Sequence, residues 1–343
     1  MRRGLLIFLL VNLAIVLFLV HQVWSLLTLL VVDGAEDAIA KAELPAVGSP
    51  RKDGKPRLIP KIIHQTYKNE SIPPVWQEAQ ASCIDLHPES EGWEYKMWTD
   101  AMSAEFIEAE YPWFYDTFKG YRYPIQRADA IRYFVLSHYG GVYIDLDDGC
   151  NRSLDPLLVY PAFVRRTLPT GISNDVMGST PRHPFFLKTI EVIQKYDRSW
   201  ILPYITVMGS TGPLFLSVLW VHWLRGGMNV GDGAEGGRMR LIFPDEYNGH
   251  EWSFFTHHLG NSWHGYDVQL IFWMSRNWIL VTIVGFAIGI TVITLGYLAY
   301  RRFASGSKDA SKWNKPTYGH RLPFWKRFTS SRQDYELVER HEV

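Results

Sequence analysis

Two stretches of this chain run uncharged for the length of a membrane crossing, and between them apolar residues recur with the short periods of an α/β domain. No residue from Gly4 to Val32 or from Trp278 to Tyr300 is charged, and a membrane helix needs only ~20 such residues. The first stretch is too long for the apolar core of a cleaved signal, so it reads as a retained anchor. The second is bracketed by Arg276 and by Arg301 and Arg302, with Trp273, Trp278, Tyr297 and Tyr300 at interfacial depths. Arg2 and Arg3 precede the first span and Arg301 and Arg302 follow the second. The positive-inside bias therefore predicts both termini in the cytosol and the middle of the chain in a lumen.

That middle begins with an apolar run, Leu58 to Ile63, that exits into His64, Gln65, Thr66 and Tyr67, a strand with a polar end. Pro73 and Pro74 open a helix through about Cys83; residues 93–98 alternate as a second strand, and Thr99 and Asp100 cap the next helix. Pro124 starts a further helix on which Ile125, Ala128, Ile131, Phe134 and Val135 fall at helical spacing, until Gly140 stops it. It feeds a β-branched, aromatic strand that ends in three carboxylates, Asp145, Asp147 and Asp148. Beyond a mixed segment lies an amphipathic helix over about residues 185–196. The apolar stretch 201–224 is not read as a third span, because Pro203, Gly209, Gly212 and Pro213 interrupt it and an odd number of crossings would spoil the charge orientation. It reads instead as a loop and a core helix over 214–224. A Gly-rich surface turn at 226–237, without the context of a phosphate loop, and a late strand at 241–244 follow.

The resulting plan is a cytosolic start and anchor (1–32), a lumenal stem (33–57), an α/β domain (58–268), an interfacial segment (269–277), a membrane helix (278–300) and a disordered cytosolic tail (301–343). Composition narrows the function. The even balance of 35 basic and 35 acidic residues argues against a polyanion-binding protein such as a nucleic-acid binder. Aromatic content of 15% and 14 tryptophans suit membrane contact or sugar stacking. Only Cys83 and Cys150 are present, consistent with one bridge or two free thiols, and Asn69 and Asn151 begin glycosylation sequons.

The chemistry concentrates at the acidic strand. On an extended chain Asp145 and Asp147 share a face, Leu146 stays in the core and Asp148 turns away. Two adjacent carboxylates with hard oxygens suit Mg²⁺ or Mn²⁺; an acidic turn without metal has the same residues. Asp129 and Arg132 share a helical face, as a salt bridge or as ligands. Far downstream, residues 257–264 gather His257, His258 and His264 with Ser262 and Trp263.

Taken in order, residues 59–66, 127–133, 140–147, 211–213 and 258–263 resemble the DXD sugar transferases of glycosyltransferase family 32. With a span at each end the chain is similar to the catalytic subunits of the fungal mannosyl inositol phosphorylceramide synthases. The resemblance covers about residues 58–265. It implies a GT-A fold, a Rossmann-like α/β sandwich with nucleotide-sugar at the carboxyl ends of its strands, and a Golgi enzyme that moves mannose from GDP-mannose to the inositol of inositol phosphorylceramide with retention. By the same resemblance Asp145, Asp147 and His258 would hold Mn²⁺ or Mg²⁺, with His257 and His264 close enough to replace His258. Asp129 and Arg132 would bind the transferred sugar, Tyr143 would line the donor site, His64, Gln65 and Thr66 would meet the nucleotide, and Ser262 and Trp263 would close over the diphosphate. No carboxylate announces itself as a nucleophile, so a same-face displacement is expected. A calcium-binding regulatory membrane subunit is also implied, for which the Gly285 and Gly289 face is a candidate dock. The competing readings are a mannosyltransferase acting on protein-linked glycans and an inactive, membrane-bound sugar-binding scaffold.

Overall fold

The computed structural model describes residues 2–49, 54–168, 170–228, 236–243, 250, 252–258 and 265–313. The chain falls into two compact units, Met1–Phe272 and Trp273–Val343. In the first, α1 (Arg2–Leu29) leads through a loop to β1 (Ile62–Thr66), α2 (Pro74–Asp85), β2 (Glu94–Trp98), α3 (Asp100–Glu110), α4 (Pro112–Gly120) and α5 (Pro124–Tyr139). Next come β3 (Gly141–Ile144), β4 (Asp148–Cys150), β5 (Ala162–Arg166), β6 (Ile172–Ser179), α6 (Pro184–Val192), α7 (Pro203–Ser210) and α8 (Pro213–Arg225). β7 (Met239–Ile242), β8 (Phe255–His257), α9 (Tyr266–Arg276) and α10 (Trp278–Trp313) complete the order. Each of α2, α4, α5, α6, α7 and α8 begins on a proline, whose missing N–H costs nothing in a first turn. Thr99 caps α3 by accepting the Met102 N–H at 3.2 Å.

Six strands form one sheet in the order β2-β1-β3-β6-β5-β7, with β6 antiparallel to both its neighbours and the other pairings parallel. Side chains alternate between two apolar layers, as a doubly covered sheet requires. Tyr143, Val164, Met177 and Leu241 enter one core with α5, α6 and α8, while Val142, Ile144, Phe163, Val176 and Ile242 enter the other. β4 and β8 pair separately as a small antiparallel ribbon.

The stretch 201–224 is a helix pair, α7 and α8, broken at Thr211-Gly212. It passes a membrane-span test by length and composition, yet 56% of the tested window is buried. Trp220 and Val221 are fully enclosed there. Trp278–Phe303 has a mean hydropathy of 2.4 with none of it buried, and α1 qualifies as a span when Leu9–His21 and Val23–Leu29 are taken as one bent crossing. Residues 33–45, expected as a stem, lie along the sheet edge instead. Ile39 N–H bonds Leu241 O at 2.9 Å, Arg238 pairs with Asp37 at 3.0 Å, and Arg240 pairs with Glu43 at 2.7 Å. The strap covers the open side of β7, an edge that would otherwise invite another strand.

Candidate active site

β1 passes on through α2 to β2 on one side, while β3 arrives on the other, so the chain diverges at the carboxyl ends of β1 and β3. This is the crevice in which open α/β sheets bind ligands. Gly140 and Gly141 let the strands approach: their φ angles are +67° and +95°, and a Cβ on Gly141 would lie 2.6 Å from Ile62 O. The same approach seals His64. Its Nδ1 accepts the Trp98 indole N–H at 3.1 Å, so its Nε2–H donates to Gly140 O at 2.8 Å. The ring is fully buried, which lowers its pKa to about 4. His64 therefore braces the strand junction, while Thr66, two residues on, lines the cavity. Gln65 is also enclosed, its Oε1 accepting the Tyr95 hydroxyl at 2.9 Å.

The strand ends at Ile144, earlier than its pattern suggests. Asp145 N–H bonds Asp175 O at 2.8 Å, and Asp148 N–H turns back to Asp145 O at 3.0 Å. Strand alternation consequently stops at Asp145. Asp145 and Asp147 both line a cavity of about 600 Å³. Asp148, expected to face away, instead turns into the protein beside Asp147, where it is fully buried.

α5 delivers the next layer. Arg132 contacts Asp145 at 3.2 Å, Asp129 at 3.0 Å and Asn174 O at 2.6 Å, and lies over the Tyr143 ring at 4.7 Å. Tyr143 donates its hydroxyl to Asp145 at 2.7 Å. Asp129 is deeper, accepting from Asn174 Nδ2 at 3.0 Å and Thr211 Oγ1 at 3.1 Å. Tyr133 ties the same group together through its bond to Thr211 O at 2.6 Å. Of this network Arg132 and Asp145 reach the cavity wall; Asp129 and Tyr143 stand behind them. Burial raises the pKa of Asp129 to about 6 against the pull of Arg132.

At the ribbon, β4 and β8 pair Asp148 with His257, placing both side chains on one face. His257 Nδ1 lies 2.9 Å from Asp148 Oδ1, and ligand atoms of Asp147, Asp148 and His257 lie within 4.8 Å of one another. His258 falls on the other face: a Cβ on Gly149 would meet its Nε2 at 3.1 Å. Its backbone N–H bonds Asp147 O at 2.7 Å. The histidine beside the carboxylates is thus His257, one residue before the expected His258. Ser262, Trp263 and His264 lie outside the described residues.

The donor set fits a divalent cation. Burial raises the proton affinity of Asp145, Asp147 and Asp148 alike, and Asp148 Oδ2 is buried without a hydrogen-bond partner. A cluster of carboxylates that resist ionisation is what a positive ion stabilises. Opposite ligands of a small octahedral ion stand about 4.2 Å apart, so modest side-chain rotation closes the gap. A disulfide between Cys83 on α2 and Cys150 on β4 holds the ribbon against the domain.

The remaining walls are largely apolar and aromatic: Trp76, Tyr123, Ile125, Tyr204, Val207 and Tyr266. Lys68 brings a cation to the rim. Paired aspartates at a strand exit, an arginine held among carboxylates and a nucleotide-sized crevice at the switch point define a glycosyltransferase. Residues 73–164 match the glycosyltransferase sugar-binding region containing the DXD motif. Across 293 residues, 85% of this chain, it is 50% identical to the mannosyl phosphorylinositol ceramide synthase SUR1 of Saccharomyces cerevisiae, covering 74% of that protein. It is 48% identical over 309 residues to that yeast's mannosyl phosphorylinositol ceramide synthase CSH1, covering 89% of this chain and 80% of the relative. Inositol phosphoceramide mannosyltransferase 3 of Schizosaccharomyces pombe is 44% identical over 283 residues, 81% of this chain and 78% of the relative. The chain belongs to this mannosyltransferase family; its first unit is a GT-A-like domain, and the chain carries helices suited to membrane association.

Proposed function

We propose that the protein transfers mannose from GDP-mannose to the inositol headgroup of inositol phosphorylceramide, with retention of configuration, in the Golgi membrane. The observation that carries the reading is the composition of one cavity: Asp145, Asp147 and Arg132 stand at its base and aromatic and aliphatic side chains form its walls. The base suits a sugar diphosphate and the walls suit an amphiphile.

Asp147, His257 and Asp148 would hold Mn²⁺ or Mg²⁺, with Asp145 completing the anionic wall. The bound cation would neutralise charge developing on the leaving diphosphate. In this reading His257 replaces His258, which packs on the opposite face of the ribbon. Arg132, fixed by Asp129 and Asn174 O, presents its guanidinium to the sugar at the place Asp145 also reaches. Asp129, Tyr133, Asn174 and Thr211 hold that guanidinium from behind. Thr66 and Lys68 meet the nucleotide at the exit of β1, and the positive end of α5, opening on the cavity at Tyr123 and Ile125, favours the diphosphate. The described cavity wall presents no carboxylate besides Asp100, Asp145, Asp147 and Asp267. Two of these serve the diphosphate, and Asp267 accepts the Tyr204 N–H at 2.6 Å. The pairing of Asp145 and Asp147 with the diphosphate supports a same-face displacement, with the inositol proton passing to the departing phosphate.

The test is direct. Purified full-length protein, incubated with GDP-mannose and inositol phosphorylceramide with and without Mn²⁺, should yield mannosylated lipid only with the cation, as identified by mass spectrometry. Transfer to a glycoprotein acceptor alone, or a covalent mannosyl-protein adduct, would contradict the acceptor or the mechanism respectively. A calcium-binding membrane subunit docking on Gly285 and Gly289 belongs to the same proposal; both positions are open on α10, with nothing within 4 Å of an added Cβ. Their replacement by Leu should weaken its co-purification.

A further inference from the structure

Beside the cavity mouth the chain leaves two exposed apolar side chains in irregular backbone. Ile201 is 99% exposed and Trp200 55%, immediately before α7. Single exposed hydrophobics need no explanation; these are part of a larger surface. Ile205 on α7 and Tyr266, Leu270 and Phe272 on α9 are also exposed. The two elements are stitched together where they begin, by the Tyr204 N–H to Asp267 Oδ2 at 2.6 Å. Tyr204 and Tyr266 then line the cavity itself, so the exposed apolar surface runs to its mouth.

One candidate membrane helix is built into the same unit. α1 ends with Leu29 buried in the core beside Leu219, Trp220 and Trp223 of α8, and Ser25 Oγ lies 2.9 Å from His222 Nε2. α8 packs in turn on α7. At the other end, α9 passes into α10 through Asn277 alone. An indole next to an aliphatic side chain is the pairing favoured where protein meets the acyl boundary.

We propose that the turn at Trp200 and Ile201 is a membrane-seated wedge beside the cavity mouth. An amphiphilic acceptor enters sideways from the lipid layer, its chains remaining in the bilayer while its headgroup passes Tyr204 and Tyr266 into the cavity. The wedge itself is independent of the reaction; the acceptor's route rests on the transferase reading above.

Two measurements on the full chain in phospholipid nanodiscs test it. A fluorophore placed by Ile201→Cys should be quenched by doxyl-labelled lipid, whereas one placed by Glu108→Cys, on the exposed face of α3, should not. Equal quenching at both sites overturns the wedge. Shielding of position 201 by a co-purifying protein, without lipid quenching, also overturns it and assigns the face to a protein partner. Second, W200S/I201S should lower transfer to bilayer-embedded inositol phosphorylceramide roughly tenfold while leaving GDP release by water from GDP-mannose unchanged. Unchanged transfer, or an equal fall in both, overturns the portal. Quenching at 201 in a protein that mannosylates no lipid would leave the wedge standing and defeat the acceptor assignment.

Discussion

At the scale of single residues, the site separates groups that face ligand from groups that hold them. His64 belongs to the second kind. Protonation would set a second N–H against the indole N–H of Trp98, and burial opposes the charge. Folding lowers its pKa from 6.5 to about 4, so between those values the unfolded chain binds more protons. His64 therefore contributes stability that is complete above pH 6.5 and is lost as pH falls towards 4. Comparing urea denaturation of wild type and His64→Gln at pH 7 and pH 5 isolates this contribution from that of the acidic groups. The wild type should lose ~2 kcal/mol more than the variant over that interval; identical pH dependence would show that His64 does not titrate as its surroundings dictate. Asp147 and Asp148 are distinguishable in the same spirit. Asp147→Asn should reduce transfer by at least ~100-fold at any metal concentration, since it removes the cavity-facing carboxylate that would hold the cation against the diphosphate. Asp148→Asn, which keeps an acceptor for His257, should instead raise the Mn²⁺ concentration for half-maximal activity by about 10–100-fold. A Mn²⁺ titration of each variant separates the two, and an unshifted midpoint for Asp148→Asn would remove that residue from the metal site.

Among elements, the helix α5 and the strand β3 were legible because their periods are long and their stops are marked. Pro124, the helical recurrence of Ile131, Phe134 and Val135, and Gly140 bound α5 as observed. Asp129 and Arg132 therefore fall on a shared face in both sequence and structure. What alternation cannot supply is where a strand ends, and one residue decides which side every later side chain takes. The turn at Asp145 to Asp148 redirects Asp148 inward, and the register of the β4–β8 ribbon selects His257 over His258. The second depends on pairing between segments more than a hundred residues apart, and Asp129 likewise draws its partners Asn174 and Thr211 from 45 and 82 residues away. β5 and β6 lay hidden in the mixed segment, whose prolines and polar residues interrupt any strand period. The glycine pair before β3 had a visible signal and a stronger role than a turn. An Ala at Gly141 would require φ +95° and place its Cβ 2.6 Å from Ile62 O, forcing β1 from β3 at the level of His64. Strain of this kind costs on the order of 1–3 kcal/mol before the clash is counted. Gly141→Ala should thus lower the melting temperature markedly and abolish transfer. Gly120→Ala, where an added Cβ meets nothing within 4 Å, should do neither. Equal behaviour of the two would mean that close approach of β1 and β3 is not what Gly141 provides.

For the whole molecule, the compartment can be argued from where its modifiable groups lie. The Cys83–Cys150 bridge closes a loop with a sequence separation of 67 and ties α2 to the ribbon that carries Asp148; such bridges persist in oxidising compartments. From the charge pattern around α1 and α10 we propose, independently, that the domain is lumenal. Glycosylation offers a third reading, because the two sequons differ in structure. Asn69 lies on an exposed loop, its side chain bonded only to the nearby Ser71 N–H at 3.0 Å among the described contacts. Asn151 has both ends of its amide engaged, with Ser253 at 3.3 Å and Thr256 at 2.7 Å, and its backbone N–H bonds Phe254 O at 2.9 Å. A transferase needs a free, flexible asparagine, so a lumenal domain should carry glycan at Asn69 and not at Asn151. Treatment of the membrane-extracted protein with an endoglycosidase should increase its mobility by one glycan's worth. Asn69→Gln should abolish that shift and Asn151→Gln should leave it intact. Absence of any shift in the wild type, in cells that glycosylate a control sequon, would place the domain on the cytosolic face and leave the disulfide without its oxidising compartment.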